Sequence, residues 1–542
     1  MNKTLTTVTI TSSNEPTAIS AAQELSKYLQ KKGVAIAEDG FAISIVVDAS
    51  LEQDSYKIEV TENGMTVTGD KNGVLYGVYN FLEKYAGIRF FTPTLEICPK
   101  GEITLPMGEI LSHTPAMKAR RLTWHCIASS PEWCVKHGIN FGVNIPEELG
   151  GQRLNYGKLF VHTINILAET TYPYPAYGTN PCVTDPTVLA TVIKNVRKAL
   201  EENPAINILS VSQNDFEGWC HCPNCRKIEE EEGSPAGPLL RFVNAVAEDL
   251  EKDYPNVIVD TLAYKYTQTT PKITKPHKNV CIRLCSINCC FTHPLENKDC
   301  PRSQKFYNDI VEWGKICDKL HIWDYTTNFH YYISTFPNFG VLHKNMKFFA
   351  ENNVVSMFPQ GNGQGVSGEF GEVRAYLLAK LMWDPYMDEE TYYRHMDEFL
   401  EAYYGAGWQN VRNFIDKTTA LAANGGFRVN KADESIGAAV CGQGIYDHPL
   451  TVITRDEYLE NEALFDEWWN TAASLAGDRR EFVERSMMQW RLTKLYLHPN
   501  AEEAQKLIDD AKAAGVVWKE GQYNVQAESD LSKSPCFWKY GK

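Results

Sequence analysis

Ile206-Asn207-Ile208-Leu209-Ser210-Val211-Ser212-Gln213-Asn214-Asp215 is the stretch whose reading decides the fold. A run of strand length ends in polar, reactive side chains, and helical patterns flank it at Pro186–Glu201 and Pro235–Asp253. Short apolar strands alternating with helices indicate βαβ units and a parallel sheet. Working outward, the candidate strands are Arg121–Cys126, Ile139–Val143, Lys158–His162, Ile206–Ser212, Val257–Tyr264, Val280–Cys285, Leu320–Tyr325 and Val354–Phe358. Eight such units in residues 113–387 match the size of a (β/α)₈ TIM barrel. The second and third units are the weakest, because 146–157 has no convincing helical pattern.

The flanks differ. Residues 1–112 read as a small α/β domain, with a helix opening at Pro16 whose apolar positions Ile19, Ala22, Leu25, Tyr28 and Leu29 share a face. Residues 388–542 read as an α-helical C-terminal domain. The predicted class is therefore α/β, a barrel between a small α/β domain and a helical one.

The chain has 542 residues, 43% hydrophobic and 22% charged, the balance of a globular protein. A net charge of −15 argues against nucleic acid as partner, because backbone phosphates demand a basic face. No run approaches the roughly 20 apolar residues of a membrane span. The Thr-rich N-terminus lacks the apolar core of a signal peptide, so the expected location is the cytoplasm, or outside it if a leader has been removed. Twelve Trp and 27 Tyr suit sugar faces as well as protein cores.

In barrel enzymes, chemistry gathers at the carboxyl ends of the strands. Asn214 and Asp215 follow the fourth strand, Trp323, Asp324 and Tyr325 end the seventh, and Glu369 and Glu372 follow the glycine-rich loop after the eighth. Glycosidic cleavage needs one carboxylic acid to protonate the leaving oxygen and a second carboxylate as nucleophile or as base for water. The expected catalytic set is Asp215 as acid with Asp324, Glu369 or Glu372 as partner. Arg121, Trp124, His162, Asn214, Tyr264, Trp323 and Tyr325 are the expected substrate-binding residues, Arg121 for hydroxyls and the rings for stacking. Cys220, Cys222 and Cys225 offer three thiolates to a structural zinc, with a fourth ligand from Cys281, Cys285, Cys289, Cys290 or Cys300, unless these form disulfides in an exported protein. No cofactor is otherwise required. A catalytic zinc ranks last, since all-thiolate ligation leaves no open water position.

Two segments carry a family resemblance. Gly64–Gly69 with Gly73–Leu82 and Gly87–Pro93 resembles the domain that precedes the barrel in β-N-acetylhexosaminidases and α-glucuronidases. Asn214-Asp215 with the three cysteines, Leu240–Asn244, Trp323-Asp324-Tyr325 and Tyr376–Pro385 resemble a bacterial family catalogued as domain of unknown function 4838. The resemblance implies a glycoside-hydrolase-like barrel, and it places Arg121 where hexosaminidases keep an arginine for sugar hydroxyls. Asn214-Asp215 stands where those enzymes carry an Asp-Glu pair, a departure from substrate-assisted chemistry. The expected activity is a glycoside hydrolase acting on a terminal sugar, with carbohydrate as partner. The alternative is a carbohydrate-binding barrel without catalysis.

Overall fold

The structure, a computed structural model, describes residues 2–170, 180–424 and 442–521. The N-terminal unit is a six-stranded mixed sheet in the spatial order Ile110–His113, Tyr56–Val60, Gly64–Gly69, Phe41–Val47, Thr7–Ser12, Ala35–Ile36. Two helices, Pro16–Lys31 and Gly73–Tyr85, pack together and against it. The first starts on proline as expected, yet its buried stripe is Ala18, Ala21, Leu25, Tyr28 and Leu29, while Ile19 stays 42% exposed. The helix is thus turned about one residue from the face that the sequence pattern favours.

Six parallel strands form the central sheet: β1 (Ala119–Arg120), β2 (Ile208–Ser210), β3 (Ile258–Ala263), β4 (Val280–Cys285), β5 (Leu320–Tyr325) and β6 (Val354–Gln360). Their spatial order is β1-β6-β5-β4-β3-β2, a curled half-barrel rather than the expected ring of eight. All six residues of β4 are buried, as a strand covered on both faces requires. The two missing strands have a local cause. Ile139–Val143 and Lys158–His162 are irregular, and Gly138, Gly142, Gly157 and His162 in or beside them take positive φ, which breaks an extended run. These segments still lie along the sheet's open side, where Asn140 N–H donates to Arg120 O and Ser210 N–H to Leu159 O. The first expected strand, Arg121–Cys126, is replaced by the two-residue Ala119–Arg120 just before it, and within the expected range only a single parallel bridge joins Thr123 to Gln360.

Register places Ser210 beside Asp260, Leu262 beside Arg283, Cys285 beside Trp323 and Trp323 beside Phe358. Side chains alternate along a strand, so Cys281, Arg283 and Cys285 on β4 share the inner face with His321, Trp323 and Tyr325 on β5. Asp260 and Arg283 form a buried ion pair there, and Tyr156 donates to Asp260 at 3.1 Å. Arg283 also donates to Phe160 O at 3.1 Å, tying the irregular wall to β4.

After the helix Gly371–Trp383 come Glu389–Tyr404, Trp408–Asn424, Arg455–Leu475, Arg480–Ser486, Met488–Leu497 and Ala501–Ala513, packed around Phe414, Phe465, Trp469 and Trp490. The end of the expected helical domain, 522–542, lies outside the described residues. Asp54–Arg120 at 2.7 Å, fully buried, and Lys380–Glu83 at 2.6 Å join the N-terminal unit to the central sheet and its last helix. No described helix is long and apolar enough to cross a membrane.

Candidate functional site

Because the sheet is parallel, all six strands deliver their carboxyl ends to one edge. Asp215 lies on the loop that leaves β2, with its side chain 58% exposed. Tyr264, the residue after β3, donates its hydroxyl to Asp215 Oδ1 at 2.9 Å, and Lys265 Nζ lies 3.0 Å from the same oxygen. Burial, then the neighbouring Asp215 charge, pushes the Tyr264 hydroxyl well above its ordinary range. Asn214 is held by its backbone N–H on Asn180 Oδ1 at 2.7 Å, and its buried side-chain amide nitrogen has no partner among the described residues. His162, in the left-handed region, bonds Gln213 O at 2.8 Å through Nδ1, and its ring sits 6.4 Å from that of Tyr264.

Glu520 is a carboxylate that the sequence reading missed. Residues 516–521 run along the loops that follow β5 and β6: Tyr332 N–H donates to Trp518 O, Glu520 N–H to Phe329 O and Gly521 N–H to Gln364 Oε1. Glu520 keeps an exposed surface, yet partial desolvation and then the Asp215 charge raise its carboxyl above the usual range. Tyr446 joins them, its hydroxyl pushed up to about 12 by burial, Glu520 and Asp215. No motif marks Glu520, which lies 305 positions from Asp215 in the chain.

Below this edge is a cationic, aromatic floor. The Arg121 guanidinium lies 4.4 Å from the Phe160 ring and 4.3 Å from the Phe358 ring, and its buried Nε has no partner among the described residues. No carboxylate pairs with it among the described residues. Burial and the Arg283 charge lower it to about 10. Gly142, at φ +90°, makes room for it, since a Cβ there would meet the Arg121 Cγ at 2.6 Å. Trp323 contacts Phe160 and Phe358, stacks on Tyr325 and donates Nε1–H to Gln360 at 2.7 Å. Tyr325 is buried beside Cys285 and Tyr264.

The other expected residues lie elsewhere. Trp323 and Tyr325 share the inner face of β5, so Asp324 between them points to the opposite face. There it accepts from Ser286 Oγ at 2.5 Å, and burial raises it to about 6. Glu369 is 1% exposed and forms a double contact with fully buried Arg374, which also donates to Asn338 and to Phe336 O. Glu369 therefore balances a buried cation and has no reach to the edge. Glu372 pairs with Arg485 at 2.7 Å and lines a separate cavity of about 250 Å³ with His125, Tyr403 and Phe482. Trp124 is 1% exposed and covered so closely by Gly361 that a Cβ there would overlap the indole; it packs in the core where it borders the Glu372 cavity.

Cys220, Cys222 and Cys225 do converge, and the fourth thiol beside them is Cys182, not one of the later cysteines proposed from sequence. Cys281 lies on the inner face of β4 with Asp260 and His321, while Cys290 and Cys300 group with His293.

Residues 90–416, well over half of the chain, match the family described as a domain of unknown function (DUF4838). No curated protein matches. Similar solved structures include a GH138 enzyme targeting pectin rhamnogalacturonan II (11% identity, 94% of this chain and 91% of that one, TM-score 0.43). Others are the β-N-acetylhexosaminidase of Bacteroides fragilis NCTC 9343 (15%, 73% and 91%, TM-score 0.41) and that of Streptomyces plicatus (13%, 73% and 90%, TM-score 0.43). Each is a loose likeness in overall architecture. The family match, with the motifs from Asn214-Asp215 to Trp323-Asp324-Tyr325 inside it, makes the chain a member of the DUF4838 family.

Proposed function

We propose that this chain is a glycoside hydrolase whose working carboxyl groups are Asp215 and Glu520. The observation that carries the reading is placement: residues 516–521 bring Glu520 over the loops after β5 and β6, to the carboxyl edge of the sheet where Asp215 stands. Asp215 pairs with Lys265 and accepts from the Tyr264 hydroxyl. Glu520, raised by partial desolvation and by Asp215, holds its proton at higher pH. Two carboxyl groups in such different surroundings divide the labour of glycosidic cleavage: Glu520 protonates the leaving oxygen and Asp215 supports the cationic centre or the attacking water. This assignment moves Asp215 from acid to carboxylate. Arg121 and the Asn214 amide, neither of them paired with a carboxylate or acceptor among the described residues, supply donors for sugar oxygens, and the half-buried Trp323 supplies a ring face.

The test is turnover of an aryl glycoside panel that includes uronides and N-acetylhexosaminides. Wild type is expected to cleave at least one member, and Asp215→Asn to lose at least about 100-fold of that activity with its unfolding midpoint unchanged. Saturable sugar binding with no cleavage of any member would favour the non-catalytic carbohydrate-binding barrel instead.

A further inference from the structure

Four cysteines from two distant stretches meet beside the Asp215 loop. The Sγ atoms of Cys182, Cys220, Cys222 and Cys225 all lie within 4.8 Å of one another, and all four are free cysteines. Cys182 Sγ is 3.7 Å from Cys222 Sγ and 3.8 Å from Cys225 Sγ. Four thiolates at the zinc–sulfur distance of about 2.3 Å around a tetrahedral ion stand about 3.8 Å apart, so these spacings are tetrahedron edges. Thr184 Oγ1 lies 3.2 Å from Cys225 Sγ and 3.3 Å from Cys182 Sγ, placed to donate to a thiolate, and Cys225 N–H points at Cys222 Sγ from the first turn of the helix Pro223–Glu232. Hydrogen-bond donors around the sulfurs are the outer shell that such a site needs.

We propose that Cys182, Cys220, Cys222 and Cys225 form a structural four-thiolate zinc site that staples the loop carrying Asp215. Cys182 stands two residues after Asn180 and Cys220 two residues after Gly218. Asn180 accepts from Asn214 N–H and donates to Gly218 O at 2.9 Å. The ion thus locks the same two segments that these hydrogen bonds join, and Asp215 lies between the joined points. With four protein ligands, no position stays open for water, so the role is positional. The staple rests on the proposed function only in what it positions; its metal content does not.

The experiment compares wild type, Cys182→Ser and Cys222→Ser, each purified under reducing conditions without added metal. Zinc is counted per chain, the wild-type zinc environment is read by X-ray absorption, and hydrogen exchange is followed at 212–222. A second group, Cys290, His293 and Cys300, also gathers three donor atoms within 4.8 Å, so the quantity read is the difference between wild type and variant. The expected result is one zinc per chain lost in each variant, sulfur neighbours at about 2.3 Å in wild type and faster exchange at 212–222 in the variants. Equal zinc in all three proteins, or a zinc-free wild type, would overturn the site. Loss of zinc with unchanged exchange would overturn the staple. A wild type that holds this zinc but cleaves no glycoside would count against the proposed function and leave the site standing.

Discussion

Asp324 and Glu369 show how far a residue type can be read without its surroundings. One lies near a strand's carboxyl end and the other just before a helix, and both have partners that give them structural work. Asp324 titrates near pH 6 in the folded chain against an ordinary value near 4. Ionising it costs the folded state more than the unfolded one, so the stability tied to its protonated form is full below pH about 4 and is lost as pH rises through about 6. Asp324→Asn keeps an acceptor for Ser286 without the charge. Denaturant midpoints should show it more stable than wild type by up to about 3 kcal/mol at pH 8 and unchanged at pH 4. A pH-independent difference would remove this account. Glu369→Gln leaves the Arg374 guanidinium buried without a counter-charge, so it should cost about 3–5 kcal/mol of stability in the same measurement. The sequence held a clue here, since Arg374 follows Glu369 by five residues on the next helix, but an ion pair is visible only once burial is known. Glu520 and Cys182 carried no such clue. Nothing near either marks it, and each gains meaning only from a residue distant in the chain.

At the scale of elements, strands β2 to β6 were legible because parallel strands buried on both faces read as compact apolar runs between helices. The runs at Ile139–Val143 and Lys158–His162 look alike in composition, yet positive-φ positions at Gly142 and His162 make them irregular. Apolar content records burial, and burial does not require an extended backbone. What holds this wall is a side chain: Arg283 on β4 donates to Phe160 O and pairs with Asp260. Arg283→Leu should therefore cost about 3–5 kcal/mol by stranding the Asp260 charge. Hydrogen exchange should also rise first at 156–162, before the central strands. Uniform exchange across the sheet would show that the ion pair serves only global stability.

At the scale of the whole molecule, the three parts are pinned together by charges at their seams, Asp54–Arg120, Glu83–Lys380 and Glu372–Arg485. The order of a small α/β unit, a parallel sheet and a helical region followed from the rhythm of the sequence, as did the placing of Asp215 at the carboxyl edge of the sheet. That the helical region sends residues 516–521 back along the loops at that edge did not, because it depends on long-range packing. The most direct test of the Asp215–Glu520 pair is the dependence of Glu520→Gln turnover on leaving-group acidity, measured with aryl glycosides of the sugar that the wild type cleaves. An absent acid matters most where the leaving oxygen is hardest to expel. The account predicts a loss of about 10²–10⁴-fold for poor leaving groups that shrinks steeply for good ones, together with loss of the alkaline limb of the pH profile. A loss equal across all leaving groups, or no loss at all, would contradict it.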